Sequence, residues 1–595
     1  MLKQKLKQLL ATVTTTALIF GAAVGTTPLK AEAVTGGEPE ETKITILGTS
    51  DIHGRFVPWD YDLDGANTSG SLTQLYTIVK QVRAENPNTI LVDIGDMIQG
   101  NSAELFNAYP MSSAATAMNA MGYELWTMGN HEFDFGLDVL KKITDQFTGS
   151  LLAGNVYKEN GDRYFPAHNI IEKAGIKIGF IGMTTPMTAV FKKGSDKIAG
   201  IEFKDPVTET QKAIDEIEGQ VDVMVGIMHM GVDNENGVAN TSVTDIANAN
   251  PELTAIFAGH MHKLVKSQEI NGVLVTEPDK YGTHISRIDL TFTKQDGEFV
   301  LKDRSTTAIP VKSSDGTIVN SDEGLLELLQ PYHEIARADA NTVIAELKGI
   351  NMVPKNEIKG IPSVQTQETP LAAFFNEVML HYGKTDVVAH QIDNDNAKLD
   401  VGAIKKKDIS YNYQYAGGEV SVYNITGKDL KDYMEWSAGY FNQSRPGDVT
   451  ISFDKTRRAS KYSTNDFFGG ITYEIDLTEP YGSRIKNIRK LDGTPIKPED
   501  ALTIGMNAYR MDFLVSNQGP MAGRTFEKVW STQDEDSFGD TEGTIRRLAV
   551  RYLQEVKNGV YTAVQPNNWK IVGVDMTSDV HKDVTYLINQ DFNGS

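Results

Sequence analysis

Short runs rich in Val, Ile and Leu punctuate the first half of this chain, and several of them stop on a glycine beside an Asp, His or Asn. The runs at 44–47, 89–92, 176–181, 221–227 and 255–258 hold four to seven residues each. Apolar runs of that length read as strands buried on both faces, and the stretches between them have the polarity of surface helices. From residue 43 to 311 the alternation predicts an α/β sandwich or a doubly wound sheet. In open α/β sheets the side chains just beyond the strand C-termini converge on one rim, which is where ligands bind.

The residues on that rim carry chemistry. Thr49-Ser50-Asp51-Ile52-His53-Gly54 follows the first run, Gly95-Asp96 the second and Gly129-Asn130-His131-Glu132 a run at 126–128. His229 closes the run before it, and Gly259-His260-Met261-His262 follows the last. Five of the 11 histidines stand in these positions. The other six, His168, His284, His333, His381, His390 and His581, have no ligand spacing and read as surface or satisfied core imidazoles. Imidazole, carboxylate and amide oxygen together suit two divalent cations held side by side, with one Asp carboxylate able to bridge them. Singly, each motif has an ordinary reading: Asp-x-His as a cap or surface pair, Asn130 beside Gly129 as a turn residue. Five in succession, each at a strand end, outweigh those readings together. The chain contains no cysteine, so thiolate metal sites, disulfides and Cys nucleophiles are excluded.

These motifs, in this order, resemble those of the calcineurin-like metallophosphoesterases. The string Asn130-His131-Glu132-Phe133-Asp134-Phe135-Gly136 is similar to the 5′-nucleotidase-like branch of that family. The resemblance implies a four-layer α/β/β/α metallophosphoesterase sandwich, a C-terminal α/β substrate domain of 5′-nucleotidase type, and a helical connection between them. It implies that Asp51, His53, Asp96 and His262 hold one metal and that Asp96, Asn130, His229 and His260 hold the other, with Asp96 bridging. It makes His131 the catalytic imidazole over the phosphoryl oxygens and Asp134 the carboxylate that orients it. Two such ions activate a water to attack phosphorus and clamp the attacking and leaving oxygens, while His131 offsets developing charge or assists the leaving oxygen. The ligand chemistry fits Mn, Zn or Fe alike.

The expected domain limits are 43–311 for the phosphoesterase domain, 312–345 for a connection with a helix at 321–338, and 346–590 for the second domain, which is richer in Tyr and Phe. Leu325, Leu326, Leu329 and Ile335 give that helix an apolar side, and Pro331 should kink or interrupt it. Family members sandwich the nucleobase between two aromatic rings, which tolerates any base. The resemblance points to Tyr415 and Tyr509 as those rings, with Tyr413 a competitor for the first and Asn507 a further substrate contact. Gly-Gly-x-Arg and Gly-Gly-Asp-Gly motifs of the 5′-nucleotidases are missing at 388–392 and 512–516. Instead, the string from Glu435 to Asn442 and the Asn507-x-Tyr509-Arg510 string look like the 2′,3′-cyclic-nucleotide 2′-phosphodiesterase/3′-nucleotidase members. The alternatives are a 5′-nucleotidase or nucleotide-sugar hydrolase, and a secreted binding protein that keeps the metal site as scaffold. A base site and a metal site on different domains also predict a change of domain orientation during turnover.

Lys3, Lys5 and Lys7, an apolar Thr-rich stretch at 9–25 and Ala31-Glu32-Ala33 read as a signal peptide over residues 1–33. The expectation is therefore an exported chain with a nucleotide as substrate and no membrane span after cleavage. A formal charge of −22 argues against a nucleic-acid polymer as partner. Two divalent cations would dominate the local field and still admit an anionic substrate.

Overall fold

The structure is a computed structural model that describes residues 41–590, except 108, 193–195, 235–237, 416, 460–464, 535 and 536. The signal peptide expected over 1–33 lies outside the described residues. The chain divides into two compact units, Met1–Tyr61 with Gly65–Ala338, and Asp62–Asp64 with Asp339–Ser595.

The first unit contains two six-stranded sheets. In one, Glu41–Thr49 lies parallel to Thr89–Asp93, followed by Leu125–Thr127 and Ser150–Leu152, while the hairpin His284–Gln295 and Glu298–Pro310 closes its other side. In the other, Val223–His229 lies between the parallel strands Ile176–Thr184 and Ala255–Phe257. Inner residues of both sheets, among them Ile46, Val92, Phe180, Val225, Phe257 and Leu290, form one buried cluster, so the sheets face each other. The approach is close: a methyl on Gly48 would stand 2.6 Å from the Phe257 ring. Ala213, Ile214 and Ile217 of helix Pro206–Ile217 and Val243 and Ile246 of helix Val243–Ala249 cover the outer face of the second sheet. Pro206 occupies the first turn of its helix, where no N–H is needed, and Asp205 caps it by accepting from Thr208 N–H at 2.8 Å. With helix Leu72–Glu85 against the first sheet, the layers are the expected α/β/β/α sandwich.

Helix Glu323–Ala340 runs through Pro331, so of the kink or interruption expected from the sequence the interruption does not occur. Its buried residues Leu325, Leu329, Tyr332, Ala336 and Ala340 recur at helical spacing. The Tyr61 hydroxyl meets His333 Nδ1 at 2.9 Å, and the Tyr332 and Thr116 hydroxyls lie 3.0 Å apart. This packing outweighs the loss of one backbone hydrogen bond at Pro331.

The second unit is built on a five-stranded sheet ordered Asp466–Gly469, Val387–Gln391, Ala501–Met506, Ser421–Thr426 and Lys528–Ser531. Two three-stranded sheets accompany it. Phe374, Phe375, Tyr433, Phe467, Phe468 and Trp569 supply much of its core, which accounts for the aromatic bias of this half.

Candidate metal centre

The strand-end residues come together as two groups. Asp51, His53 and His262 form one, and Asp96, His229 and His260 the other, with the ligating atoms of each trio within 4.8 Å of one another. Asp96 reaches both: its Oδ2 is 3.2 Å from His229 Nε2 and 4.0 Å from His53 Nε2. Asn130 Oδ1 lies 3.1 Å from His229 Nε2. Six of these seven side chains are thus in the two trios and the seventh touches one.

The local backbone explains how short loops aim so many side chains inward. Asp51, His53, Asp96, His260 and His262 all have positive φ, between 46° and 72°. For residues with a Cβ this left-handed conformation costs about 1–2 kcal/mol each. Cross-loop hydrogen bonds offset part of that cost: Asp51 N–H donates to Gly95 O and His53 N–H to Asp96 O, both at 2.9 Å. The loops leave no room at Gly129, where a methyl would sit 2.3 Å from Asp96 Oδ1.

The donor set fits cations. His53 Nδ1 meets Gln99 Oε1 at 2.9 Å, and since that oxygen can only accept, the hydrogen is on Nδ1 and the Nε2 lone pair faces the site. Burial holds His53 down to about 4, so the ring is neutral. Its Nε2 is 3.0 Å from His262 Nε2. His229 Nδ1 donates to Ile94 O at 2.9 Å, which turns the Nε2 lone pair toward Asp96 Oδ2 and Asn130 Oδ1. Asp51 Oδ1 is buried with no hydrogen-bond partner, while Oδ2 accepts from Ser50 Oγ and from His260 N–H. Lone pairs converging on one another, with an orphaned carboxylate oxygen beside them, are what a bound cation resolves. The site favours positive charge: burial disfavours a charged ring, but Asp96 and then Asp51 outweigh burial and push His229 up to about 10.

His131 stands next to this cluster, its ring centroid 5.4 Å from that of His53. Its Nδ1 meets Asp134 Oδ2 at 2.7 Å, which orients Nε2 away from Asp134. Burial works against a charged ring, yet Asp134 and Asp96 together raise His131 to about 9, so it carries a proton at neutral pH. Asp134 is held below its usual range despite burial, by His131 and then Lys192.

Three supporting residues are given no role by the sequence motifs, although Glu132 stands within one of them. Glu132 is fully buried and accepts from the backbone N–H groups of Asp96, Met97 and Gly129 at 2.7–2.8 Å. Gln99 fixes the His53 tautomer, and Lys192 pairs with Asp134. The six remaining histidines have structural partners: His168 pairs with Glu216, His284 meets Thr283, His381 packs on Tyr382 and Tyr552, His333 meets Tyr61, His390 Nε2 donates to Ala372 O, and His581 meets Val449 O and Glu357.

In the second unit, the rings of Tyr415 and Tyr509 lie 6.1 Å apart at 44°, and both are more than a third exposed. Tyr413 is buried and packs on Phe375, with ring centroids 5.2 Å apart. Asn507 is buried as the N-cap of helix Ala508–Val515, its Oδ1 accepting from Arg510 N–H at 3.1 Å.

Residues 44–264 match the family model described as calcineurin-like phosphoesterase, and residues 343–513 match that described as 5′-nucleotidase, C-terminal domain. The chain is 25% identical to the trifunctional nucleotide phosphoesterase protein YfkN of Bacillus subtilis, over 94% of this chain and 41% of that protein. It is also 25% identical to a Haemophilus influenzae 2′,3′-cyclic-nucleotide 2′-phosphodiesterase/3′-nucleotidase, over 90% of this chain and 88% of the relative. Among solved structures, the Haemophilus influenzae NAD nucleotidase NadN shares the fold with a TM-score of 0.54 at 18% identity, covering 89% of this chain and 99% of that one. With a calcineurin-like phosphoesterase domain followed by a 5′-nucleotidase C-terminal domain, the chain belongs to the 5′-nucleotidase-like metallophosphoesterases, a family of metal-dependent phosphoric ester hydrolases.

Proposed function

We propose that the protein is an exported phosphoesterase, working with two divalent ions, that hydrolyses 2′,3′-cyclic nucleotides to 3′-nucleotides and 3′-nucleotides to nucleosides and phosphate. The observation that carries the reaction class is one carboxylate, Asp96, within reach of two imidazole-containing groups, with the His131–Asp134 pair beside them. Asp51, His53, Asp96 and His262 would hold one ion, and Asp96, Asn130, His229 and His260 the other. When bound, the ions would supply a water activated for attack and would neutralise charge on the phosphoryl oxygens. His131, protonated and oriented by Asp134, donates a hydrogen bond to a phosphoryl or leaving oxygen as negative charge builds there. The substrate class is supported by likeness along nearly the whole chain to a relative of that name, and by the strings at 435–442 and 507–510.

The test is phosphate release by metal-reconstituted protein from 2′,3′-cyclic AMP, 3′-AMP, 5′-AMP and UDP-glucose, with a chelator control. The expected result is chelator-sensitive turnover of the first two and poor turnover of the others. Preference for 5′-AMP or UDP-glucose would move the chain to the 5′-nucleotidase or nucleotide-sugar reading, and no turnover would favour a binding protein.

Tyr415 and Tyr509 form the base clamp in this reading, since both rings are accessible and close enough to open around one base. Stacking on an aromatic ring contributes about 1–3 kcal/mol per base. Tyr415→Ala and Tyr509→Ala should therefore each raise KM for 3′-AMP roughly 5- to 100-fold. Turnover of 4-nitrophenyl phosphate, which has no base, should stay within about twofold. A KM rise shared equally by both substrates would rule the clamp out.

A further inference from the structure

The dyad His131–Asp134 has a third member whose role the strand-end motifs do not reveal. Lys192 follows the short helix Thr188–Phe191, beyond the strand Ile176–Thr184, which contributes no residue to either metal-ligand group. Its side chain is only 9% exposed, and its Nζ pairs with Asp134 Oδ1. The other oxygen, Oδ2, accepts from His131 Nδ1 at 2.7 Å. Both oxygens of one carboxylate are thus committed, one to an ammonium and one to the imidazole.

Burying a lysine costs several kcal/mol unless the ammonium is paired, so a surface loop has little reason to place one here for anchorage alone. The turn keeps its own shape without that contact: Thr188 Oγ1 donates to Thr185 O at 2.8 Å, and Lys192 N–H donates to Thr188 O at 3.0 Å. Phe191, on the same turn, lays its ring over His260 with centroids 6.0 Å apart at 26°. One short turn therefore reaches both the dyad and a residue of the second metal-ligand group.

A carboxylate held by a single hydrogen bond can rotate about its Cβ–Cγ bond and let the imidazole swing. A second, charged contact on the opposite oxygen removes that freedom. We propose that Lys192 is a positioning residue for the phosphoester hydrolysis, acting through Asp134 to hold the His131 imidazole at the reacting phosphoryl group. The proposal rests on the catalytic reading of His131, and its test separates the two.

The experiment measures kcat and KM for 4-nitrophenyl phosphate and 3′-AMP with metal-reconstituted full-length protein. The variants are Lys192→Met, Lys192→Arg, His131→Ala and the double variant Lys192→Met/His131→Ala. Misplacement of a catalytic group costs up to about 100-fold, so Lys192→Met should lower kcat roughly 10-fold or more while KM moves less than about twofold. Lys192→Arg, which keeps the charge and can reach the carboxylate, should recover most of the loss. In the His131→Ala background, Lys192→Met should have no further effect, because the group it positions is gone. Metal content and melting temperature of each variant show whether the fold is retained. Full activity of His131→Ala would overturn the catalytic reading and this proposal with it. An impaired His131→Ala beside an unimpaired Lys192→Met would overturn this proposal alone. So would losses that multiply in the double variant, which would mean that Lys192 contacts substrate or merely holds the loop.

Discussion

Asp96→Asn is expected to lower phosphoester hydrolysis by on the order of 10³-fold or more and to reduce the metal retained per chain. The substitution keeps the side chain's size and one neutral oxygen, so Asp96's acceptor bond to His131 N–H at 2.9 Å can survive. What is lost is the negative charge that lies 3.2 Å from His229 and 4.0 Å from His53. That charge is the strongest influence raising His229 to about 10, so it is also what most favours a cation there. An amide cannot bridge two ions with comparable affinity, and its NH2 group would point a donor into a site built from acceptors. Metal per chain, measured by mass spectrometry after desalting, should fall together with kcat, while the circular dichroism spectrum should match the parent. A variant that kept both its metal and its turnover would show that Asp96 is not the bridging ligand.

The parts of this site that were legible in the sequence are those encoded locally. A buried strand followed at once by Gly-Asp, Gly-Asn-His or Gly-His-x-His announces both the element and the side chain it delivers, so an α/β layer with ligand-type side chains on one rim could be read from the residues, while the four-layer order and the grouping of those side chains came from the family resemblance. The residues that were not legible owe their roles to distant contacts. Lys192 lies 58 positions from Asp134, in a turn whose sequence has no ligand pattern. Glu132 sits within a recognised string, but two of its three partners, at 96 and 97, come from another loop. Tyr413 and Tyr415 are two residues apart and share the same polarity, and only the packing of Phe375 against Tyr413 tells the buried ring from the accessible one. Pro331 misleads for a related reason: local chemistry argues against a helix there, whereas a buried face from Leu325 to Ala340 keeps one.

Glu132→Ala should give the largest loss of stability among single substitutions around the centre. Its carboxylate is the acceptor for three buried backbone donors, Asp96 N–H and Met97 N–H at 2.8 Å and Gly129 N–H at 2.7 Å. Each buried donor left unsatisfied costs about 1–3 kcal/mol, so the first unit should lose roughly 3 kcal/mol or more. That corresponds to a fall in melting temperature of about 6 °C or more for a domain of this size. The chemistry should suffer separately, because the same bonds hold the loops that carry Asp96 and Asn130. Glu132→Gln isolates this effect: it preserves volume and some acceptor capacity but presents an NH2 to at least one backbone N–H. Loosening groups behind metal ligands typically weakens metal binding about 10- to 100-fold. Glu132→Gln should therefore need more added metal for half-maximal activity and recover much of its turnover at saturation, which Asp96→Asn should not do. Unchanged melting of Glu132→Ala, together with an unchanged metal requirement of Glu132→Gln, would mean that the loops are held by their left-handed turns and mutual backbone bonds alone.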